Sequence, residues 1–227
     1  MATKKRNTVQ HELLENYLED DSRLEMGIDE AGRGPMLGRV YSAAVVLPKR
    51  GEFHYEWMKD SKRFHSKKKL RKMAQYIKDN ATYWSIGYET EQTIDKINIR
   101  NATHRAMHRA IKDIATGNPQ ESYYLLIDGN DFKPYIYYGK NGMEDIPHTC
   151  IKGGDNKYCA IAAASILAKV ARDDYVDELC KEDQTLVERY DLFNNKGYGT
   201  KKHMDGIKNY GISEYHRKTF GICKDFA

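Results

Sequence analysis

The chain has 227 residues, of which 40% are hydrophobic and 31% are charged, a composition typical of a soluble globular protein with an ordinary core. Its 37 lysines and arginines exceed its 33 aspartates and glutamates by only four, so the charge balance only mildly favours a nucleic-acid partner. No apolar run approaches the roughly 18 residues of a membrane span. No apolar segment follows the basic start, so we expect no signal peptide and a cytoplasmic location.

The four cysteines show no CxxC spacing, which argues against a zinc site and a disulfide framework and favours reduced thiols in a cytosol. No internal repeat, low-complexity tract or domain linker interrupts the chain. We therefore expect one domain over residues 1–227, acting as a monomer away from any membrane, with residues 1–7 disordered.

The first predicted elements are a short acidic helix over residues 8–21 and two strands. Apolar residues at helical spacing indicate the helix, which we interpret as a packing element. The first strand runs from about Leu24 to Asp29. A continuous apolar, β-branched run over residues 40–47 predicts a second, buried strand, which Pro48 closes.

The first strand ends in two adjacent carboxylates, Asp29 and Glu30, followed at once by a glycine-rich turn that carries Arg33. Acidic residues are depleted in strands, and buried charges are costly unless they are paired or hold a metal. Two carboxylates beside backbone freed by glycine could serve a hard divalent cation and a phosphate. An ordinary charged turn between two strands is the alternative for this stretch taken alone.

The most basic window spans residues 59–72, with eight lysines and arginines against one acidic residue. Ser66 can cap a helix there, with Leu70, Met73 and Ile77 on its core face. Lysines in the first turn of that helix would oppose the helix dipole, at a cost of about 0.3 kcal/mol or more each. This pattern favours an anionic partner such as phosphate, and a solvated basic face is the alternative.

The remaining predicted elements are strands over residues 82–88, 123–128 and 135–138 and helices over residues 98–117, 156–181 and 201–210. The second of these strands ends in Asp128 before a glycine, and Asp155 follows two glycines directly before the long alanine-rich helix. An ordinary helix N-cap is the alternative interpretation of Asp155. Tyr198 lies between two glycines, on flexible backbone open to a flat ligand such as a sugar or base.

Acidic residues thus recur at the end of a predicted strand or the start of a helix, each close to a glycine: Asp29, Glu30, Asp128 and Asp155. If the strands lie side by side, these carboxylates converge at one edge of the sheet and repel one another unless cations hold them. Oxygen-only ligands favour Mg²⁺ or Mn²⁺ over zinc. Two such ions can activate a water and stabilise the leaving oxygen in phosphodiester hydrolysis. The basic segments 59–72 and 196–202 would then supply phosphate contacts.

Seven short segments carry a family resemblance, and they come in the family's order over about residues 24–220. They are Gly-Ile-Asp-Glu-Ala-Gly-Arg-Gly-Pro at 27–35, Lys-Asp-Ser-Lys at 59–62, Leu-Ile-Asp-Gly-Asn at 126–130, Lys-Gly-Gly-Asp at 152–155, the alanine-rich 161–170 with Arg172-Asp173, Lys-Gly-Tyr-Gly-Thr at 196–200, and His-Arg-Lys-Thr-Phe at 216–220. On these motifs the chain resembles ribonuclease HII of the bacterial type.

The resemblance implies an α/β, RNase H-like fold, with a mixed central β-sheet flanked by helices and a C-terminal helical extension. It implies a divalent-metal-dependent endonuclease, with Mg²⁺ or Mn²⁺, that acts on RNA–DNA hybrids and on single ribonucleotides embedded in duplex DNA. Cleavage would fall 5′ of the ribonucleotide and leave 3′-hydroxyl and 5′-phosphate ends. The implied role is removal of ribonucleotides and RNA primers from DNA.

The same resemblance implies roles for individual residues. The four carboxylates named above would be the catalytic metal ligands. Gly32, Arg33 and Gly34 would recognise the 2′-hydroxyl, which suits glycine because it lets backbone approach closely, and the 2′-hydroxyl is what separates RNA from DNA. Tyr198 would stack on the sugar of the neighbouring deoxynucleotide. The expected phosphate contacts are Lys62 and Lys169.

Two segments depart from the family's usual pattern, namely residues 64–66 and an expected local insertion at 137–144. Two other functions remain open at this point. One is a different RNase H-like metal nuclease, such as a junction resolvase acting on branched DNA, which would need no 2′-hydroxyl. The other is a non-catalytic nucleic-acid-binding protein whose carboxylates are structural, although such a protein gains nothing from negative charge beside its ligand.

Overall fold

A five-stranded mixed β-sheet forms the centre of the structure. The computed structural model describes residues 13–18, 22–49, 53–58, 66–139 and 142–227. The strands within these residues are β1 (Leu24–Ala31), β2 (Val40–Val46), β3 (Tyr83–Glu89), β4 (Tyr123–Asp128), β5 (Ile136–Gly139), β6 (Gly142–Asp145) and β7 (His148–Ile151). The central sheet has the order β3-β2-β1-β4-β7. Strand β1 is antiparallel to β2 and parallel to β4, which is parallel to β7, so the carboxyl ends of β1, β4 and β7 share one edge.

Helices cover both faces of this sheet. The α-helices in the described part of the chain are α1 (Lys67–Asn80), α2 (Glu91–Gly117), α3 (Cys159–Glu182), α4 (Gln184–Tyr190), α5 (Leu192–Asn195) and α6 (Lys201–Tyr210). Strand β2 shows why its sequence is continuously apolar. Ala43 and Val45 belong to the cluster under α1 and α3, whereas Ala44 and Val46 belong to the cluster under α2. A third cluster joins α4 and α6 to the end of α3. The predicted mixed sheet with flanking helices and a C-terminal helical extension is confirmed.

The contact between β1 and α3 is close because β1 contains Gly27. A Cβ atom at this position would overlap the backbone of Ala160, so no side chain fits between strand and helix. The strand that carries Asp29 is therefore seated directly on α3.

The predicted helix over residues 8–21 is wrong for the residues that the structure describes there, 13–18. Leu14 instead forms a β-bridge with Tyr158. The backbone N–H groups of Tyr17 and Leu18 donate to the buried Glu25 carboxylate at 2.9 and 2.6 Å. In a helix these two N–H groups would have donated to carbonyls of the same helix. Here they donate to Glu25 instead, and this gives the buried Glu25 carboxylate its hydrogen-bond partners.

Two helix boundaries also differ from their predictions. Helix α2 begins at Glu91, and the predicted start, Asn98, is a break within it with a φ of 66°. Asn98 still caps the second part, because its side-chain oxygen accepts from the Asn101 N–H at 3.0 Å. Helix α3 begins at Cys159, since a 3₁₀ turn occupies Gly154–Asn156. Asp155 lies in that turn, so the alternative that it is the N-cap of the long helix is wrong.

The segment that was expected to be an insertion forms a small separate hairpin. Strands β5 and β6 pair antiparallel with each other and lie outside the central sheet. Over the described ranges, no helix has both the length and the apolar character that crossing a membrane requires.

Candidate active site

The acidic strand ends lie together at one edge of the central sheet. The parallel pairing of β1 with β4 sets Ile28 opposite Ile127, so the next residues, Asp29 and Asp128, lie at the same level. Asp29 is 5% exposed, and Glu30 beside it has a side chain that is 16% exposed. The sheet therefore brings three of the predicted carboxylates to one place.

Hydrogen bonds from neighbouring backbone and side chains orient these carboxylates. The Glu30 N–H donates to Asp29 Oδ1 at 2.7 Å, and the Ser165 hydroxyl on α3 also bonds to the Asp29 carboxylate. The Gly154 N–H donates to Asp128 Oδ1 at 2.6 Å. The following residue, Asp155, is buried and accepts from the side-chain amide of Asn156 at 2.8 Å. The glycine turn before α3 thus connects Asp155 to Asp128.

The carboxylates at this edge oppose one another's ionisation. Burial raises the pKa of Asp29 well above its usual range, and the charges of Glu30 and Asp128 raise it further, while the Ser165 hydrogen bond lowers it. Burial also raises the pKa of Glu30, with Arg33 opposing the rise and Asp128 adding to it. Arg33 Nη1 lies 3.2 Å from Glu30 Oε1. Ionising these carboxylates together is therefore unfavourable without a cation, and among the described residues Arg33 opposes this effect at Glu30.

Oxygen donors with an excess of negative charge suit a hard divalent cation. Over the described ranges, no group of three or more histidine, cysteine, aspartate or glutamate side chains is arranged to hold a metal ion as it stands. Mg²⁺ usually takes only one or two carboxylates and completes its shell with water and substrate phosphates. The neighbouring carboxylates Asp29, Glu30 and Asp128 fit that kind of ion, with the remaining ligands to come from solvent and substrate.

The turn after β1 is held from behind by Arg217, which is completely buried. Its guanidinium donates to five backbone carbonyls at 2.6 to 3.2 Å: those of Gly32, Arg33, Pro35, Gly38 and Arg39. Burial and the nearby Arg172 lower the pKa of Arg217, and the five carbonyl dipoles favour its charged form. The motif that contains Arg217 can be identified in the sequence. Residue spacing does not show, however, that this side chain binds five carbonyls about 180 residues earlier in the chain.

A cavity of about 510 Å³ adjoins this turn. Residues of the turn, of helix α3 and of the segment before α6 line it, among them Gly32, Arg33, Gly34, Lys169, Arg172 and Tyr198. A second cavity of about 180 Å³ shares Glu30 and Arg33 with the first and extends to Asp128. Glu30 and Arg33 therefore lie between the two cavities, and Asp128 lines the smaller one.

The structure places the other predicted site residues as follows. Tyr198 is 47% exposed, and its ring lies 5.6 Å from the Arg172 guanidinium. Lys169 lines the larger cavity, but its Nζ is paired with Asp173 at 2.7 Å. Lys62 lies outside the described residues.

Two residues of this site were missed in the sequence, Ser165 and Arg172. Arg172 is buried against Gly32, and its Nη2 donates to the Lys196 carbonyl. A signal for both was present. Ser165, Lys169 and Arg172 are spaced i, i+4, i+7 within the otherwise apolar residues 159–172 of α3, which puts three polar side chains on one face.

Gly32 and Gly34 should respond differently to alanine. Gly32 has a φ of +93°, and a Cβ there would lie 2.8 Å from Arg172 Cδ and 2.9 Å from the Arg39 carbonyl oxygen. We expect Gly32→Ala to lower the free energy of unfolding by about 1–3 kcal/mol. Among the described residues, a Cβ at Gly34 would meet the Tyr198 ring alone, at 3.5 Å, so Gly34→Ala should stay within about 0.5 kcal/mol of the wild type. Urea unfolding measures both, and equal losses would contradict this account of the turn.

Comparison with known proteins agrees with this arrangement. The sequence profile of the family described as Ribonuclease HII matches residues 26–223. Ribonuclease HII of Parabacteroides distasonis is 47% identical over 209 residues, which cover 92% of this chain and 95% of that protein. Ribonuclease HII of Bacteroides fragilis is 46% identical over 206 residues, covering 91% and 93%.

A solved structure shows the same fold at lower sequence similarity. The crystal structure of ribonuclease H2 from Pyrococcus horikoshii matches with a TM-score of 0.69 at 21% identity, covering 89% of this chain and 96% of that one. Because the family profile matches residues 26–223 and the two bacterial relatives are 46–47% identical over more than 90% of the chain, the chain belongs to the ribonuclease HII family and is a ribonuclease H.

Proposed function

We propose that this ribonuclease H is a divalent-metal-dependent endonuclease that cleaves 5′ of a ribonucleotide, in RNA–DNA hybrids and at single ribonucleotides in duplex DNA. The observation that carries the proposal is the position of Glu30 and Arg33, which line both the cavity beside the glycine turn and the cavity that reaches Asp128. A bound strand can therefore present a sugar to the turn and its phosphate to the carboxylates at the same time.

The proposed metal ligands are the four carboxylates at the sheet edge: Asp29, Glu30, Asp128 and Asp155. A bound Mg²⁺ or Mn²⁺ would supply an activated water and charge stabilisation for the leaving 3′-oxygen. The protein's own part is to keep these carboxylates oriented, through the Ser165 hydroxyl and the Gly154 N–H. Cleavage would leave 3′-hydroxyl and 5′-phosphate ends.

The proposed sugar recognition uses Gly32, Arg33 and Gly34. Arg217 occupies the carbonyls of Gly32 and Arg33 from the protein side, which leaves the amide groups of the turn and the Arg33 side chain for the ligand. Tyr198 would stack on the sugar of the adjacent deoxynucleotide across the same cavity. A ribonucleotide bound at the turn carries a 2′-hydroxyl, and a deoxynucleotide in the same place does not. The turn would therefore set the selectivity for ribonucleotides.

Lys169, and Lys62 outside the described residues, are proposed phosphate contacts. Lys169 would have to exchange its partner Asp173 for a phosphate, which an exposed ion pair of low net energy allows. The proposal also includes one catalytic domain, consistent with a family match over residues 26–223. We further propose that the protein is a monomer and acts in the cytoplasm. Its role there would be to remove ribonucleotides and RNA primers from DNA.

The test is a set of end-labelled 12–20 base-pair duplexes, about the length that such a site can cover. One contains a single ribonucleotide, one pairs an all-RNA strand with DNA, and one is all DNA, each with Mg²⁺, Mn²⁺ or a chelator. We expect a single nick 5′ of the ribonucleotide, multiple cuts in the hybrid, and no cut in all-DNA or with the chelator. Cleavage of the all-DNA duplex would favour the resolvase alternative, and salt-dependent binding without turnover would favour the non-catalytic one.

A further inference from the structure

Two histidines near the end of the chain form a buried pair that the proposed mechanism does not use. His203 lies on α6, and His216 lies in the segment that also carries Arg217. Both are buried, with exposed fractions of 0% and 1%, and their Nε2 atoms are 3.0 Å apart. The Tyr190 ring packs against both.

The hydrogen bonds around the pair determine where each proton lies. The Ser213 N–H can only donate, and it lies 2.9 Å from His216 Nδ1, so this nitrogen is the acceptor; the Ser213 hydroxyl, 2.8 Å from the same nitrogen, can also donate to it. A neutral imidazole has one N–H, so the His216 proton is on Nε2 and is donated to His203 Nε2. His203 must then carry its proton on Nδ1, which lies 3.0 Å from the Tyr198 carbonyl oxygen. Burial lowers the pKa of both rings, that of His216 to about 3, which keeps them neutral.

The far end of this chain of hydrogen bonds is the backbone of Tyr198. Tyr198 lies between Gly197 and Gly199, so its own neighbours restrict its backbone little. Its carbonyl accepts from His203 and also from the Thr200 N–H at 2.8 Å. The Tyr198 ring, in contrast, lines the cavity next to Gly34, where a Cβ atom would lie 3.5 Å from the ring.

We infer that His216 and His203 are positioning residues that pass a one-directional chain of hydrogen bonds from Ser213 to the Tyr198 carbonyl and hold the Tyr198 ring beside the glycine turn. The expected effect on cleavage rests on the proposed function, in which Tyr198 stacks on the sugar of the deoxynucleotide next to the ribonucleotide. Neither histidine touches the substrate. Loosening the pair should therefore reduce selectivity for the single-ribonucleotide substrate more than cleavage of a long hybrid.

The test uses two variants of one residue. His203→Phe keeps the ring and removes the donor, whereas His203→Asn places an amide N–H close to the position of Nδ1 and keeps the donor to Tyr198. We expect His203→Phe to lower the ratio of kcat/KM for the single-ribonucleotide duplex to kcat/KM for the long hybrid by about tenfold. His203→Asn should restore most of that ratio. His108→Asn, at a histidine on α2 bonded to the Lys133 carbonyl, is the control and should leave the ratio unchanged.

A double-mutant cycle separates positioning from general loss of structure. In a Tyr198→Ala background, His203→Phe should lower the ratio no further, since the group that it positions is gone. An equal loss on both substrates, or a loss that persists without the Tyr198 ring, would overturn the inference. If the wild type itself left the single-ribonucleotide duplex uncut, the proposed function would fail instead.

A measurement without substrate tests the hydrogen-bond chain even if His203→Phe does not fold. Nitrogen-15 NMR of the wild-type histidine rings should show His203 protonated at Nδ1 and His216 at Nε2, both neutral. The opposite tautomer on either ring would overturn the inference, whatever the activity of the protein.

Discussion

Asp29→Asn should reduce cleavage of the single-ribonucleotide duplex on the order of 1,000-fold or more while the protein remains folded. The amide has nearly the same shape as the carboxylate and can still accept from the Glu30 N–H and Ser165, so the local packing is kept. What it loses is the negative charge that would hold a divalent cation. Steady-state cleavage with Mg²⁺ and with Mn²⁺ measures the loss, and Asp79→Asn, at an exposed aspartate on α1, is the matched control.

The same variant should be more stable than the wild type when no metal is present. The pKa of Asp29 is raised by burial and by Glu30, so in the wild type the folded state holds a proton that the unfolded state has released. The stability linked to that proton is present at low pH and is lost as the pH rises from about 4 through the folded-state pKa. The side-chain amide of the variant does not titrate. The advantage of the variant should therefore vanish below about pH 4 and grow toward neutral pH.

Adding divalent metal should reverse this order. Metal that binds only the folded wild type raises its melting temperature by mass action, and the variant should gain much less. Thermal unfolding with a chelator and with Mn²⁺, at pH 4 and pH 7.5, covers all four conditions. Undiminished cleavage by Asp29→Asn, or equal metal stabilisation of both proteins, would show that Asp29 is not a metal ligand.

Arg217→Lys should be the most destabilising conservative change at the site. The planar guanidinium serves five carbonyls from three nitrogens, whereas an ammonium has three donors at a single point. At least two buried carbonyls would lose their partner, at about 1–3 kcal/mol each. We expect the free energy of unfolding to fall by about 3 kcal/mol, and the selectivity for ribonucleotides to fall with it, because the turn loses its support.

Urea unfolding and the duplex assay test this prediction together. Arg189→Lys is the control, since Arg189 is exposed and its guanidinium lies over the Tyr210 ring. That change should alter stability by no more than about 0.5 kcal/mol. If Arg217→Lys were as stable and as selective as Arg189→Lys, the five carbonyl contacts would not shape the turn.

The strand ends could be predicted from the sequence to within two residues because their signals are local: β1 continues to Ala31, two residues beyond the predicted Asp29, and β4 ends at Asp128 as predicted. An apolar run that stops at Asp29 or Asp128 before glycine indicates a strand end directly, and the parallel arrangement of β1 and β4 then brings the two carboxylates level. The local structure of Asp155 could not be predicted, because the 3₁₀ turn that contains it is held by contacts with Asp128 and Leu14 from distant segments.

Contacts between distant segments could not be predicted in the same way. Nothing in residues 13–18 shows that their N–H groups would meet Glu25, and the helical spacing there was misleading. The carbonyls that Arg217 binds and the partner that His203 finds in His216 are likewise products of the fold. Lys169 illustrates a smaller point: a lysine identified from a motif already has an acidic neighbour one helical turn away, at Asp173.

The dependence of the glycine turn on Arg217 has a consequence during synthesis of the protein. The ribosome makes the four carboxylates Asp29, Glu30, Asp128 and Asp155 before Arg217. The arginine that holds the turn comes 62 residues after the last of these carboxylates. A chain interrupted between these points would carry the four carboxylates without the side chain that binds the carbonyls of the turn. The turn can therefore take its shape only after nearly the whole chain has been made.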